Sequence, residues 1–95
     1  MTDQELTVVY WRDIPAQVVA GKGRDALRIP LPDRFQQAID RAATRAGLIG
    51  SDDYMAEWRR VPGGGGDPAV VADQLDADLP DTVLDEIVRN HGKRS

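Results

Sequence analysis

Leu6-Thr7-Val8-Val9-Tyr10-Trp11, the interruption Asp13-Ile14-Pro15 and the resumption Gln17-Val18-Val19-Ala20 decide what kind of fold this chain can adopt. The first run is β-branched and aromatic with apolar residues on both faces, so it reads as a central strand covered on both sides or nearly so. Pro15 donates no hydrogen bond and drives Ile14 into an extended conformation, which fits a turn or a strand edge. Gly21-Lys22-Gly23-Arg24-Asp25 then supplies the glycines of a reversal, so residues 17–20 and Ala26-Leu27-Arg28-Ile29 face each other as a hairpin. In Leu27-Arg28-Ile29 apolar side chains alternate with a charge that meets water.

Helices follow. Pro32 and Asp33 suit a first helical turn, and Phe35, Ala38, Ile39, Ala42 and Ala46 fall on one apolar stripe that ends at Gly47. Ser51-Asp52-Asp53 starts a second helix carrying Tyr54, Met55 and Trp58, and Arg59-Arg60-Val61 ends it or turns into a short strand. Asp67-Pro68 opens a third helix, and Leu79-Pro80-Asp81 a fourth with Val83, Leu84, Ile87 and Val88 as its stripe and Gly92 as its stop. The expected architecture is a single α+β domain over residues 1–95. A small, mostly antiparallel sheet from residues 6–30 packs on helix 33–46, with shorter helices near 52–59, 68–77 and 81–91. Residues 62–67 are expected as a flexible glycine-rich loop, and residues 92–95 as a disordered tail.

The net charge of −4 is divided unevenly, close to neutral over residues 1–50 and strongly negative over 51–95. An acidic second half argues against nucleic acid, whose phosphates require a concentrated positive face. The absence of cysteine excludes disulfides and thiolate ligation. No signal segment and no membrane-length apolar run is present, so a cytoplasmic location away from membranes is expected.

Few residues suggest chemistry. The Gly21-to-Arg24 loop matches neither the Walker pattern, which needs a longer loop and a Ser or Thr after its Lys, nor the dinucleotide pattern, which needs a third Gly opening a helix. It reads as a hairpin turn, with an anion cradle as the alternative. Asp73, Asp76, Asp78 and Asp81 lack the calcium-loop spacing and read as a solvated helix face. His91, the only histidine, reads as a contact with a helix C-terminus. No catalytic residue, metal ligand or cofactor is assigned.

Trp11 with Arg12 and Asp13, and Trp58 with Arg59 and Arg60, can form a stacked aromatic and guanidinium surface of the kind that anchors interfaces, or can fill the core with the arginines paired at its edge. The order Tyr10-Trp11-Arg12-Asp13-Ile14-Pro15-Ala16-Gln17-Val18, Gly23-Arg24, Arg34 to Ala43, and Ser51-Asp52-Asp53-Tyr54 through Trp58-Arg59-Arg60 resembles the bacterial family labelled "virulence factor". The same small domain occurs at the C-terminus of conserved virulence factor C. The resemblance covers about residues 6–61 and leaves the acidic tail outside.

This resemblance implies a small bacterial cytoplasmic domain rather than a particular chemistry. In some relatives it is joined to helical repeats and to a domain like those of iron–sulfur scaffold proteins. Stand-alone members look to be encoded beside corrinoid and folate one-carbon enzymes, which implies an accessory role. The expected function is a non-catalytic binding module for a protein partner, of undetermined oligomeric state. Its surface would comprise Trp11, Arg12, Asp13, Lys22, Arg24, Arg59 and Arg60, and Arg12→Ala is expected to leave stability almost unchanged. The alternative is an enzyme or cofactor-handling accessory protein that binds an anionic small molecule at the same basic corner.

Overall fold

The computed structural model describes residues 5–21 and 23–94. Strands β1 (Glu5–Trp11), β2 (Ile14–Ala20) and β3 (Leu27–Pro30) are followed by helices α1 (Asp33–Arg45) and α2 (Asp52–Ala56). Strand β4 (Trp58–Gly65) and helices α3 (Pro68–Asp78) and α4 (Asp81–Arg89) complete the chain. The four strands form one antiparallel sheet in the order β3-β2-β1-β4. The architecture is α+β, and β1 is a central strand, as its composition predicts.

One face of the sheet is the core. Leu6, Val8, Val18 and Ala20 point into it and meet Phe35, Ala38, Ile39 and Ala42 of α1, Ala72 of α3, and Leu84, Ile87 and Val88 of α4. The alanines matter because small side chains let a helix approach the sheet closely. The register of β1 on β2 shifts between Val9 and Tyr10, and beyond that bulge Trp11 and Ile14 are both fully buried. Pro15 is tolerated in β2 because β3 pairs only with residues 17–20, which leaves Pro15 without a neighbour on that side.

The other face of the sheet is close to covered as well. Thr7, Val9 and Val19 lie on the face away from the main core cluster, yet Thr7 and Val9 are half-buried and Val19 is only 3% exposed, so β1 is nearly covered on both sides.

Three expectations are corrected. Pro62 to Gly65 belong to β4 rather than to a loop, with Thr7 opposite Pro62 and Glu5 opposite Gly65. The second helix ends at Ala56, which gives Trp58 to β4 rather than to a helix through residue 59. Residues 92–94 are tied to the body: Gly92 is buried, its carbonyl accepts the Asp13 N–H at 2.8 Å, and the Arg94 N–H donates to the Asp13 carboxylate at 2.7 Å.

Candidate functional site

The residues expected to form one basic corner separate into two places. Gly21 closes onto the start of β1, its N–H donating to the carbonyl of Glu5 at 3.2 Å, whereas Arg12 follows the last residue of β1. A seven-residue strand lies between them, about 20 Å. Arg24 is exposed in a single 3-10 turn, Gly23–Asp25, at the far end. Lys22 lies outside the described residues.

At the near end, β1 and β2 are joined by the two-residue loop Arg12-Asp13, with Trp11 and Ile14 paired across it. Arg12 has φ +53, the left-handed region that such a loop needs at its first position and that glycine ordinarily fills. Its guanidinium is spent internally. Nη1 donates to the carbonyl of His91 at 2.7 Å, Nη2 bonds Glu57 at 3.0 Å, and the group lies 5.2 Å from the Trp11 ring centroid. Only 13% of the side chain is exposed, and Nε is buried without a hydrogen-bond partner. Asp13 accepts from Arg59 Nη2 at 3.0 Å, and Arg59 Nε donates to the Arg12 carbonyl at 2.9 Å while its guanidinium lies over Tyr10.

The two Trp–Arg pairs are therefore neighbours, with Trp11 opposite Trp58 and Tyr10 opposite Arg59 on adjacent strands. What they make is a clasp. Trp11 is fully buried and donates Nε1–H to the Tyr54 carbonyl at 2.9 Å, and Tyr54 meets Trp58 edge-on at 6.3 Å. This placement argues against Trp11 and Arg12 as docking residues, because the Trp11 N–H is directed at the Tyr54 carbonyl and the Arg12 guanidinium at the His91 carbonyl and Glu57.

Arg60 behaves differently. It sits opposite Val9, away from the helices, and together with Trp58 and Val9 lines one hollow on the helix-free face of the sheet. It also lines a second hollow with Thr7, Val19, Gly21 and Arg28. Among the described residues neither Arg28 nor Arg60 has an ion-pair or hydrogen-bond partner. Arg28 is the residue that sequence reasoning left out of the site. Its signal was the alternation in Leu27-Arg28-Ile29, which placed it on the face opposite the core without showing what else that face carries.

The acidic residues lie elsewhere. Asp76 and Asp81 pair with Arg34 of α1, and Asp85 pairs with Arg41 at 3.2 Å, so part of the acidic cluster ties helices together rather than facing solvent alone. Among the described residues no group of three or more His, Asp or Glu side chains is placed to hold a metal ion, and no helix is long and apolar enough to cross a membrane.

Comparison with protein families matches residues 9–88 to a model described as Virulence factor. The match extends past residue 61, where the resemblance in sequence ended, and takes in the acidic helices α3 and α4. No curated protein and no solved structure matches the chain. Because the family model spans most of its length, from the middle of β1 through all but the last residue of α4, the chain belongs to the Virulence factor family.

Proposed function

We propose that this chain is a small cytoplasmic bacterial accessory module that works by binding, without catalysis, and that it docks an acidic surface of a protein partner on the helix-free face of its sheet. One observation carries the reading: Arg28 and Arg60, on the two edge strands, are both unpartnered on that face of a protein whose net charge is −4. An unpaired guanidinium on a protein of opposite overall sign steers an acidic partner and fixes its register more than it adds bulk affinity. Val9 and the edge of Trp58 supply the apolar ground beside the charges. Neither nucleic acid nor membrane is proposed as a partner.

The test is affinity capture from bacterial lysate at low ionic strength, with wild type beside the double variant Arg28→Glu/Arg60→Glu. Arg45→Glu, an exposed site on α1, serves as the charge control. Loss of the captured protein with the double variant alone, and elution of the wild-type complex by salt, is the expected result. Equal capture by all three proteins would sink the reading.

A further inference from the structure

Between the two edge strands the helix-free face holds a hollow of about 450 Å³. Its floor is Thr7 and Val19, which are paired across β1 and β2, and Gly21, Gly23 and Ala26 line its far side. Arg28 stands opposite Val19 on β3, and Arg60 opposite Val9 on β4. Those strands are separated by three strand spacings, about 14 Å. Two arginines anchored that far apart line the same hollow, so their side chains lean inward over its floor from opposite edges.

We infer that this hollow is a binding site for a small organic phosphate monoester. Two guanidinium groups without internal partners balance the charge of a phosphate dianion, and their planar forks match its oxygens two at a time. The Thr7 hydroxyl on the floor is a further donor. The size of the hollow distinguishes an ester from the bare ion. About 450 Å³ exceeds what inorganic phosphate fills, and Ala26 offers an apolar wall to the organic body of the ligand. A carboxylate would carry only one of the two charges.

This site shares Arg28 and Arg60 with the docking surface but stands without it, because it is tested on the purified protein with no partner present. Phenyl phosphate and inorganic phosphate are titrated separately into isotopically labelled protein, and backbone amide shifts are followed. The expected result is saturable movement of Thr7, Val19 and Arg28 with phenyl phosphate, weaker binding of inorganic phosphate, and affinity about tenfold lower for each of Arg28→Gln and Arg60→Gln. Those variants are surface changes and keep the wild-type spectrum elsewhere. Shifts that do not saturate, that spread equally to Arg41, Arg45 and Arg89, or that persist in the Arg28→Gln/Arg60→Gln protein would overturn the assignment. If phosphate fails while the charge-reversed protein still loses its captured partner, the docking reading survives alone; the opposite pair of results leaves the phosphate site alone.

Discussion

Arg12 and His91 are the two non-glycine residues with left-handed backbones among those described, and they are bonded to each other: Arg12 Nη1 donates to the His91 carbonyl at 2.7 Å across 79 positions of sequence. Each conformation is unfavourable for a residue bearing a Cβ. Both sit at sharp reversals, one between β1 and β2 and one after α4, and the bond joins the two reversals into the clasp that holds the end of the chain against Trp11.

Arg12→Ala is therefore expected to destabilise the protein rather than leave its melting temperature unchanged. It removes a charge-assisted bond to a carbonyl and the packing of a side chain only 13% exposed, with a smaller share from the pair to Glu57, which is 38% exposed and screened by solvent, so a loss of about 2 kcal/mol is expected in chemical denaturation. Arg12→Lys keeps the charge but cannot serve two partners from one planar fork, and should recover less than half of the loss. A melting curve for Arg12→Ala that overlays the wild type would show that the clasp contributes nothing.

What was legible in the sequence is what short-range pattern encodes. Leu6 to Trp11, the hairpin around Gly21 and the stripe of α1 announced themselves through composition, turn residues and helical spacing. Strand β4 did not, because Pro62 and four consecutive glycines read as breakers. Its pairing with β1 is a long-range choice, and the glycines have a packing reason. A Cβ on Gly63 would lie 3.2 Å from Val8 Cγ2 and 3.4 Å from Leu6 Cβ, so the absence of a side chain lets β4 lie against β1. The site was legible in its residue types but not in its geometry. Arg12 stood out as a polar residue in an aromatic setting, while its partner carbonyl at His91 leaves no mark in sequence, and Arg28 looked like any solvated charge until β4 brought Arg60 to the same face.

The ends of α1 and α4 permit a comparison within one molecule. Leu48 N–H bonds the Ala43 carbonyl and Gly47 N–H the Thr44 carbonyl; Gly92 N–H bonds the Ile87 carbonyl and His91 N–H the Val88 carbonyl. Both are Schellman closures, with Gly47 and His91 at the left-handed position. The stop of α4 is thus His91, one residue before the glycine expected to provide it. His91→Gly should raise stability by about 1 kcal/mol, because the exposed imidazole has no partner to lose and the Arg12 bond goes to the backbone. A lower denaturation midpoint for His91→Gly would show that the imidazole holds the turn in some other way.

Arg34 connects three helices. From α1 it bonds the carbonyl and carboxylate of Asp76 near the end of α3 and the Asp81 carboxylate at the start of α4, with its guanidinium 4.4 Å from the Phe35 ring centroid. Its partners are substantially exposed, which limits the worth of each ion pair. Arg34→Lys is expected to cost about 1 kcal/mol, chiefly through the lost fork geometry and ring contact, and the difference from wild type should shrink as salt is raised. A difference that grows with salt would contradict this account.

Gly92 offers the most severe single test of the C-terminal packing. A Cβ there would lie 2.8 Å from Trp11 Cζ3 and 3.3 Å from both Trp11 Cε3 and Arg12 Cδ, and its φ of +93 disfavours any side chain. The indole cannot retreat, since Trp11 is fully buried and tied by Nε1 to Tyr54. Gly92→Ala must therefore displace residues 92–94 from the sheet or strain them in place, at an expected cost of about 2–4 kcal/mol. The two responses are separable by tryptophan fluorescence and amide exchange. Displacement leaves Trp11 wetter and frees the Asp13 amide, which otherwise donates to Gly92 at 2.8 Å, whereas strain in place lowers stability with both signals unchanged. Stability equal to wild type would mean that Trp11 and Gly92 do not meet as described.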